Sequence, residues 1–444
     1  MFASVAILRR MPKGLDRLDY RLPKNLLVTP GMVVMVPFRK NIIPAVVTGI
    51  YSNSSLPENK IKTIDSIINT EPFIPINQLK FLEEIAEMYQ TPLGFILKTN
   101  LPPWKKRKIS ILNLKHLTQN KKTKESHKPT LIIPKNEKEA KEKIISLLDK
   151  QTNNLVISPT IERVWGWKKF CEENDIPYTI ITSEYTEKEV FSIWEKIRNQ
   201  ESGLIIGTRR ALFLPWFNLK NIFLEDDGDE NHKNWDMAPR FHNRDACLIL
   251  SSQHGAKFFT ISVSPSPDTY YFAQHSTFKV DGELPILSMP EIINLKEERK
   301  NGNYGVWSER LKEVLTNNSG DVFLFLNRRG SAHYVGCRDC GFTAKCDNCH
   351  RTLVYHSAEN NLICHFCNIK KNTFVHCPNC QSVSMVMYGA GTELVENEAR
   401  KNWGNRYQII RIDADTEFLS TPESNLPKII IGTQMAWQKI DWQK

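Results

Sequence analysis

The chain has 444 residues, 41% of them apolar, too many for one hydrophobic core and enough for about three or four compact domains. Lysine and arginine number 59 against 49 acidic residues, and the net charge of +10 points to a polyanionic partner such as nucleic acid. No apolar run of bilayer-spanning length occurs, and the opening MFASVAILRRMPKG reverses the charge order of a secretory signal; a cytoplasmic protein with no membrane partner is expected.

Residues 1–103 read as a β-rich unit, because VVMVPF (33–38) and AVVTGI (45–50) are β-branched runs bounded by Pro30-Gly31 and Gly49. A helix is expected from an N-cap at Asn77 through Leu79, Leu82, Ile85, Ala86 and Tyr89, a one-faced spacing that belongs to a core. Residues 104–129 form a basic linker with Lys105, Lys106, Arg107, Lys108, Lys121, Lys122, Lys124 and Lys128, readable as a solvated connector or as a phosphate-contacting strip. From 130 to 285, apolar runs (TLIIP, NLVISP, YTIIT, GLIIGT, NIFLED, KFFTIS) alternate with helical patterns at 137–149, 161–173 and 187–198. Continuous apolar strands separated by amphipathic helices imply a parallel sheet covered on both faces. DVFLFLN, YQIIRID and KIIIGT suggest a second such lobe over 286–336 and 382–444, interrupted by a cysteine-rich insertion at 337–381.

Of the ten cysteines, Cys171 and Cys247 stand apart as expected core thiols, and the rest form four C-x-x-C pairs. In a reducing compartment such pairs favour metal over disulfides, and two pairs close one tetrahedral zinc site. RTLVYHSAENNLIC reads as a hairpin that brings Cys346 and Cys349 beside Cys364 and Cys367, leaving Cys337, Cys340, Cys377 and Cys380 for a second zinc. Sequential pairing is the alternative. His350, His356, His365 and His376 could replace a ligand, but eight thiolates already fill two coordination spheres and leave no open position for water, so structural rather than catalytic zinc is expected.

The string FLNRRGSAHYVGCRDCGFTAKCDNCHRTLVYH, with CHFC, CPNC and YGAGTELVENE, resembles the zinc-bearing second lobe of the primosomal protein N′ (PriA) family of replication-restart helicases. RLDYRLP, GMVVMVPF and YQTPLGFILKTNLPP resemble that family's N-terminal 3′-end-binding domain, and IIGTRRALFLPWFNL, APRFHNRDA and IIIGTQM resemble motifs of its helicase lobes. The resemblance implies an α/β multidomain fold: a β-rich 3′-DNA-end-binding domain, two RecA-like parallel-sheet lobes, and an inserted two-zinc region. The second lobe is expected to be incomplete, since the sequence stops at Lys444 before the family's arginine-bearing last motif. It further implies that Leu18, Asp19, Arg39 and Lys62 mark a pocket for the 3′ end of a nascent leading strand, Asp19 accepting from the terminal ribose hydroxyl. Arg39 stands where the family often has glycine. Ordinary exposed charge is the alternative for Asp19 and Lys62. Trp235, Arg240 and Phe241 correspond to an aromatic-rich loop suited to stacking on unpaired bases, with packing as the alternative for Phe241.

A nucleotide-binding P-loop needs G-x-x-x-x-G-K-[ST], whose glycines let backbone N–H groups wrap the phosphates. The chain holds no Gly-Lys dipeptide, and after TLIIP stand Lys135 to Glu142 with three carboxylates and no glycine, which read as plain helix. Glu225-Asp226-Asp227-Gly228 replaces the family's Asp-Glu-Glu-His, and Ser262-Val263-Ser264-Pro265 replaces its Gly-Ser-Ala-Thr-Pro. The expectation is a fork-binding component of the replication restart primosome that carries two zinc ions, binds forked DNA with a 3′ end and single strands, meets primosome and helicase-loading proteins, and lacks ATP, magnesium and helicase activity. A working helicase with divergent motifs and a zinc-stabilised module for RNA or transcription are the alternatives.

Overall fold

The computed structural model describes residues 1–12, 15–23, 27–54, 56–68, 71–101, 127–149, 151–199, 203–285, 289–303, 305–326, 334–356, 361–364, 366–388, 392–412, 425–433 and 436. The basic residues Lys105, Lys106, Arg107, Lys108, Lys121, Lys122 and Lys124, and His365, lie outside the described residues. The chain divides into two units, Met1–Leu287 and Ser288–Lys444.

The first unit opens with β1 (Phe2–Ile7), β2 (Arg17–Arg21), β3 (Val33–Phe38), β4 (Asn41–Tyr51) and β5 (Ser66–Ile67). They form an antiparallel sheet in the order β2-β1-β4-β3-β5. The β-branched runs pair as a hairpin closed at Phe38↔Asn41. Before β3, Gly31 adopts φ +88°, and a Cβ there would stand 2.0 Å from the Ile74 carbonyl oxygen, so the chain can pass only without a side chain.

Two helices follow, α1 (Ile76–Met88) and α2 (Leu93–Asn100), where the sequence suggested one. Pro75 occupies the N-cap position of α1 with φ −58° and no side-chain cap, so the expected N-cap Asn77 sits inside the first turn. A proline's fixed φ orders the entry without a capping oxygen. Leu79, Leu82, Ile85 and Ala86 are buried as the spacing required. α2 packs against β1 so closely that a Cβ on Gly94 would lie 1.8 Å from the Ile7 carbonyl.

The unit continues with β6 (Thr130–Ile132), α3 (Glu137–Ser146), β7 (Asn153–Ile157), α4 (Ile161–Glu173), β8 (Tyr178–Ile181), α5 (Glu187–Arg198) and β9 (Gly203–Gly207). Then come β10 (Leu219–Glu225), α6 (Asn243–His254), β11 (Lys257–Ile261), α7 (Pro267–Gln274) and β12 (Lys279–Asp281). The strands make a seven-stranded parallel sheet in the order β12-β6-β11-β10-β7-β9-β8. β7 is buried along its whole length, the reason it reads as an uninterrupted apolar run. Helix α5 starts on a capping box between Thr186 and Glu189.

The N-terminal domain and this α/β lobe share one core. Phe73 stacks on Trp194 with ring centroids 4.1 Å apart, and Phe81 meets Phe213 at 5.9 Å. Gln78, 1% exposed, donates to the Leu212 carbonyl at 2.9 Å. The buried Arg198 guanidinium donates to the Pro72 carbonyl at 3.3 Å and pairs with Glu71.

The second unit contains α8 (Leu295–Lys300), α9 (Glu309–Asn317), β13 (Val322–Phe325), β14 (Tyr334–Cys337), β15 (Val354–His356), β16 (Asn361–Ile363) and β17 (Lys370–Asn372). It ends with β18 (Met385–Tyr388), α10 (Thr392–Trp403), β19 (Gln408–Ile412) and β20 (Lys428–Gly432). β13, β20 and β19 form a three-stranded parallel sheet, and Trp307 and Trp403 meet edge to face in its core. β14 and β18 pair antiparallel as a neck, from which the cysteine region and the sheet β15-β16-β17 project. No described helix is long and apolar enough to cross a membrane.

Candidate DNA-contact and metal sites

Residues assigned to the strand-end pocket lie on the edge of the first sheet. Leu18 and Asp19 are adjacent on β2 and so point to opposite faces; Leu18 packs against the sheet's core. Asp19 Oδ2 accepts from Ser54 Oγ at 2.6 Å, and Ser54 Oγ in turn accepts from the Leu56 N–H at 3.2 Å, which aims the hydroxyl proton at the carboxylate. Arg39 takes φ +55° in the turn joining β3 and β4. That left-handed conformation explains why glycine suits this place. Lys62 Nζ donates to the Arg39 carbonyl at 3.4 Å, so these two residues meet, and the Arg21 N–H bonds the Lys62 carbonyl at 2.8 Å, which runs the Lys62 segment beside the end of β2. Sequence reasoning missed Ser54, since a half-buried serine 35 residues away carries no local signal.

The loop after β10 divides its aromatic residues. Trp235 is 64% exposed, and Met237 and Arg240 are exposed beside it. Phe241 is 2% exposed, which corrects its assignment as a DNA contact: its ring packs 5.5 Å from Phe213 and 6.4 Å from Tyr89 as part of the core. Burying a phenyl ring there removes apolar area from water and leaves no face of the ring for a base.

At the end of β10 three consecutive carboxylates are each taken by protein donors. Glu225, buried, accepts from Ser158 Oγ and from the Trp167 indole N–H at 2.8 Å. Asp226, at φ +45°, pairs with Arg163 at 2.7 Å and accepts from Ser262 at 3.3 Å. Asp227, 1% exposed, accepts from the Ser266 N–H at 3.2 Å and from the hydroxyls of Ser266 and Thr269, with Arg244 3.8 Å away. Arg163 also pairs with Glu137 at the head of α3, so one guanidinium bridges the end of β10 and the start of α3.

Two backbone donors between β6 and the first turn of α3 are taken locally, and one by β12. The Lys135 N–H bonds Glu139 at 2.9 Å, the Glu139 N–H bonds Asn136 Oδ1 at 2.9 Å, and the Ile133 N–H bonds the Asp281 carbonyl at 2.9 Å. A phosphate cradle needs those groups free and facing the ligand.

The protonation of these acids follows from burial. Burial pushes Glu225 up to about 7, against the pull of its Ser158 and Trp167 donors and Arg163. It also raises Asp226, opposed by Arg163. His232, buried and held below the usual histidine range by that burial, contacts the Glu225 carbonyl at 2.6 Å and Asn243 at 2.9 Å.

The thiols gather as two groups of four, Cys337, Cys340, Cys377 and Cys380, and Cys346, Cys349, Cys364 and Cys367, with each group's sulfurs within 4.8 Å of one another. This is the nested arrangement, and β15 and β16 form the hairpin that produces it. Sγ separations include 3.6 Å (Cys337 to Cys380), 3.5 Å (Cys340 to Cys377) and 3.5 Å (Cys349 to Cys364). A tetrahedron with zinc–sulfur bonds of about 2.3 Å sets sulfurs roughly 3.8 Å apart, so both groups fit such an ion. Backbone N–H groups of Cys367 and Asn379 approach the Cys364 and Cys377 sulfurs at 3.4 Å, donors outside the four sulfurs that orient these two ligands. His350 and His376 are exposed and lie outside both groups.

Residues 7–102 match the family described as the PriA 3′DNA-binding domain (3′BD). The replication restart protein PriA of Bacillus subtilis is 30% identical over 280 residues, covering 59% of this chain and 34% of that protein. That of Borreliella burgdorferi is 32% identical over 256 residues, covering 55% of this chain and 38% of that protein. The Rickettsia felis protein of the same name is 28% identical over 457 residues, covering 94% of this chain and 69% of that protein. The chain is similar to replication restart PriA proteins, and its residues 7–102 match their 3′DNA-binding domain. It thus spans about a third of the length of the first two relatives and 69% of the third.

The buried acid at the lobe's centre makes stability pH-dependent with a definite sign. Glu225 binds its proton more tightly when folded than at the ordinary value of 4.5, so its contribution is fully present below pH 4.5 and is lost as pH rises toward about 7. Glu225→Gln keeps an acceptor for Trp167 and removes the charge. Thermal unfolding from pH 5 to 8 should show the variant gaining on the parent as pH rises, by on the order of 3 kcal/mol at pH 8. A constant difference across that range contradicts the assignment.

Proposed function

We propose that this chain recognises stalled DNA forks in replication restart, acting by binding rather than as a motor. The N-terminal domain grips a strand's 3′ end, with Asp19 accepting from the terminal hydroxyl and Arg39 and Lys62 near the phosphates. Trp235 stacks on an unpaired base while Arg240 faces its backbone, the pairing of aromatic and cation that single-strand binding uses. The net charge of +10 supports the same partner. One observation carries the reading: a 3′DNA-binding domain coexists with a lobe whose three strand-end carboxylates are all engaged by protein donors.

A motor of this fold would hold magnesium through free carboxylates and a phosphate through free backbone N–H groups. Here the three carboxylates are engaged by protein donors, and the N–H groups of Ile133, Lys135 and Glu139 already have partners. The two thiolate groups hold structural zinc, each ion closed by four sulfurs, which braces a platform for primosome and helicase-loading proteins. Such a protein works in the cytoplasm, and neither zinc keeps a position for catalysis.

Fluorescence anisotropy with forks whose leading-strand 3′ end carries a hydroxyl or a phosphate tests the pocket. Tighter binding to the hydroxyl end, by on the order of tenfold and abolished by Asp19→Asn, is expected. Equal affinity for the two forks contradicts it. Elemental analysis should give two zinc equivalents per chain, and chelation should unfold residues 337–380 while Met1–Leu287 keeps its own transition. One equivalent contradicts the two-site scheme.

A further inference from the structure

Tyr89 ends helix α1 in the N-terminal domain, yet nearly everything it touches belongs to the loop and helix that follow β10. Its hydroxyl donates to Asp245 Oδ2 at 3.0 Å and accepts from the His242 N–H at 3.3 Å. Its ring meets the edge of the buried Phe241 ring at 6.4 Å. The Lys233 ammonium lies 5.8 Å from the Tyr89 ring and 5.9 Å from the Trp235 ring, and donates to the Arg240 carbonyl at 2.6 Å. One ammonium therefore fixes the aromatic and the arginine of the loop, and one tyrosine from another domain sits against that ammonium.

The rest of the loop is tied down as well. The Asn234 N–H bonds the Phe241 carbonyl at 2.9 Å, and the Asn234 side chain donates to the Met237 and Pro239 carbonyls at 2.9 and 2.8 Å. Trp235, Met237 and Arg240 nonetheless stay exposed at its tip. An exposed contact surface on a fixed backbone binds with little ordering cost.

We propose that Tyr89 and Lys233 are positioning residues that hold Trp235 and Arg240 in a preset arrangement for unpaired nucleic acid, so that the N-terminal domain, and not a bound nucleotide, sets the loop. This rests on the loop's proposed contact with single strands. The hydroxyl supplies two hydrogen bonds that a phenylalanine lacks, and the ring supplies an aromatic face for the Lys233 cation. Burial, opposed by the His242 N–H and reinforced by Asp245, pushes Tyr89 up to about 12, so the hydroxyl keeps its proton at any working pH.

A double-mutant cycle tests the inference on the full chain. The probe is an oligothymidylate with a 3′ phosphate, which bypasses the strand-end pocket. Tyr89→Phe is expected to weaken binding roughly three- to tenfold and to speed amide exchange across residues 233–242, with the thermal transition unchanged. Lys233→Met is expected to do the same. In a Trp235→Ala background, Tyr89→Phe should produce no further loss. A chain in which Trp235→Ala binds like the parent overturns the loop's contact with single strands. A Trp235-dependent affinity that Tyr89→Phe leaves unchanged, or reduces equally in both backgrounds, overturns the role of Tyr89 alone.

Discussion

Three consecutive carboxylates at the end of one central strand, two of them buried and Asp226 partly exposed, must be satisfied together, and the α/β lobe is organised around that requirement. A buried carboxylate without partners costs several kcal/mol, so each acid here recruits its own donors: Ser158 and Trp167 for Glu225, Arg163 and Ser262 for Asp226, and Ser266 and Thr269 for Asp227. These donors come from β7's end, from α4, and from the β11–α7 connection and the first turn of α7. Arg163 occupies the remaining space by spanning Asp226 and Glu137. The sheet thus keeps a RecA-like parallel architecture while the polar groups at its strand ends satisfy one another.

The same arrangement changes what can move. In a nucleotide-driven lobe the loop after this strand answers to the phosphate. Here His232 fastens the loop's start to the Glu225 carbonyl and to Asn243, and Tyr89 clasps its end from the N-terminal domain. Phe73, Gln78 and Phe81 weld that domain to the lobe through a shared core. The proposed strand-end and single-strand contacts therefore lie on one packed body, as the proposed recognition role requires.

Much of this was legible in the sequence, and the failures have identifiable causes. Helices α4 and α5 fall where the apolar period placed them, and the parallel strands read as apolar runs because both faces of the sheet are covered. The four C-x-x-C pairs and their hairpin carried the nested grouping, since each knuckle is a local geometry. Asn77 misled because Pro75 orders the helix entry by its ring alone. Phe241 misled because an aromatic flanked by Arg240 and His242 has the local pattern of a stacking loop, while its burial depends on Phe213 and Tyr89, far away in sequence. Arg163, Ser54, Tyr89 and Lys233 were missed for the same reason. Tyr89 read only as the last member of a core stripe, and nothing local says what its hydroxyl reaches.

The central claim is that internal ion pairs and hydrogen bonds have replaced the nucleotide. Isothermal titration of the zinc-loaded chain with magnesium and a non-hydrolysable ATP analogue, with and without forked DNA, addresses it most directly. The account predicts no measurable heat of nucleotide binding at millimolar ligand and a fork affinity that the analogue leaves unchanged. Saturable binding with one-to-one stoichiometry, lost on Asp226→Ala, would contradict it.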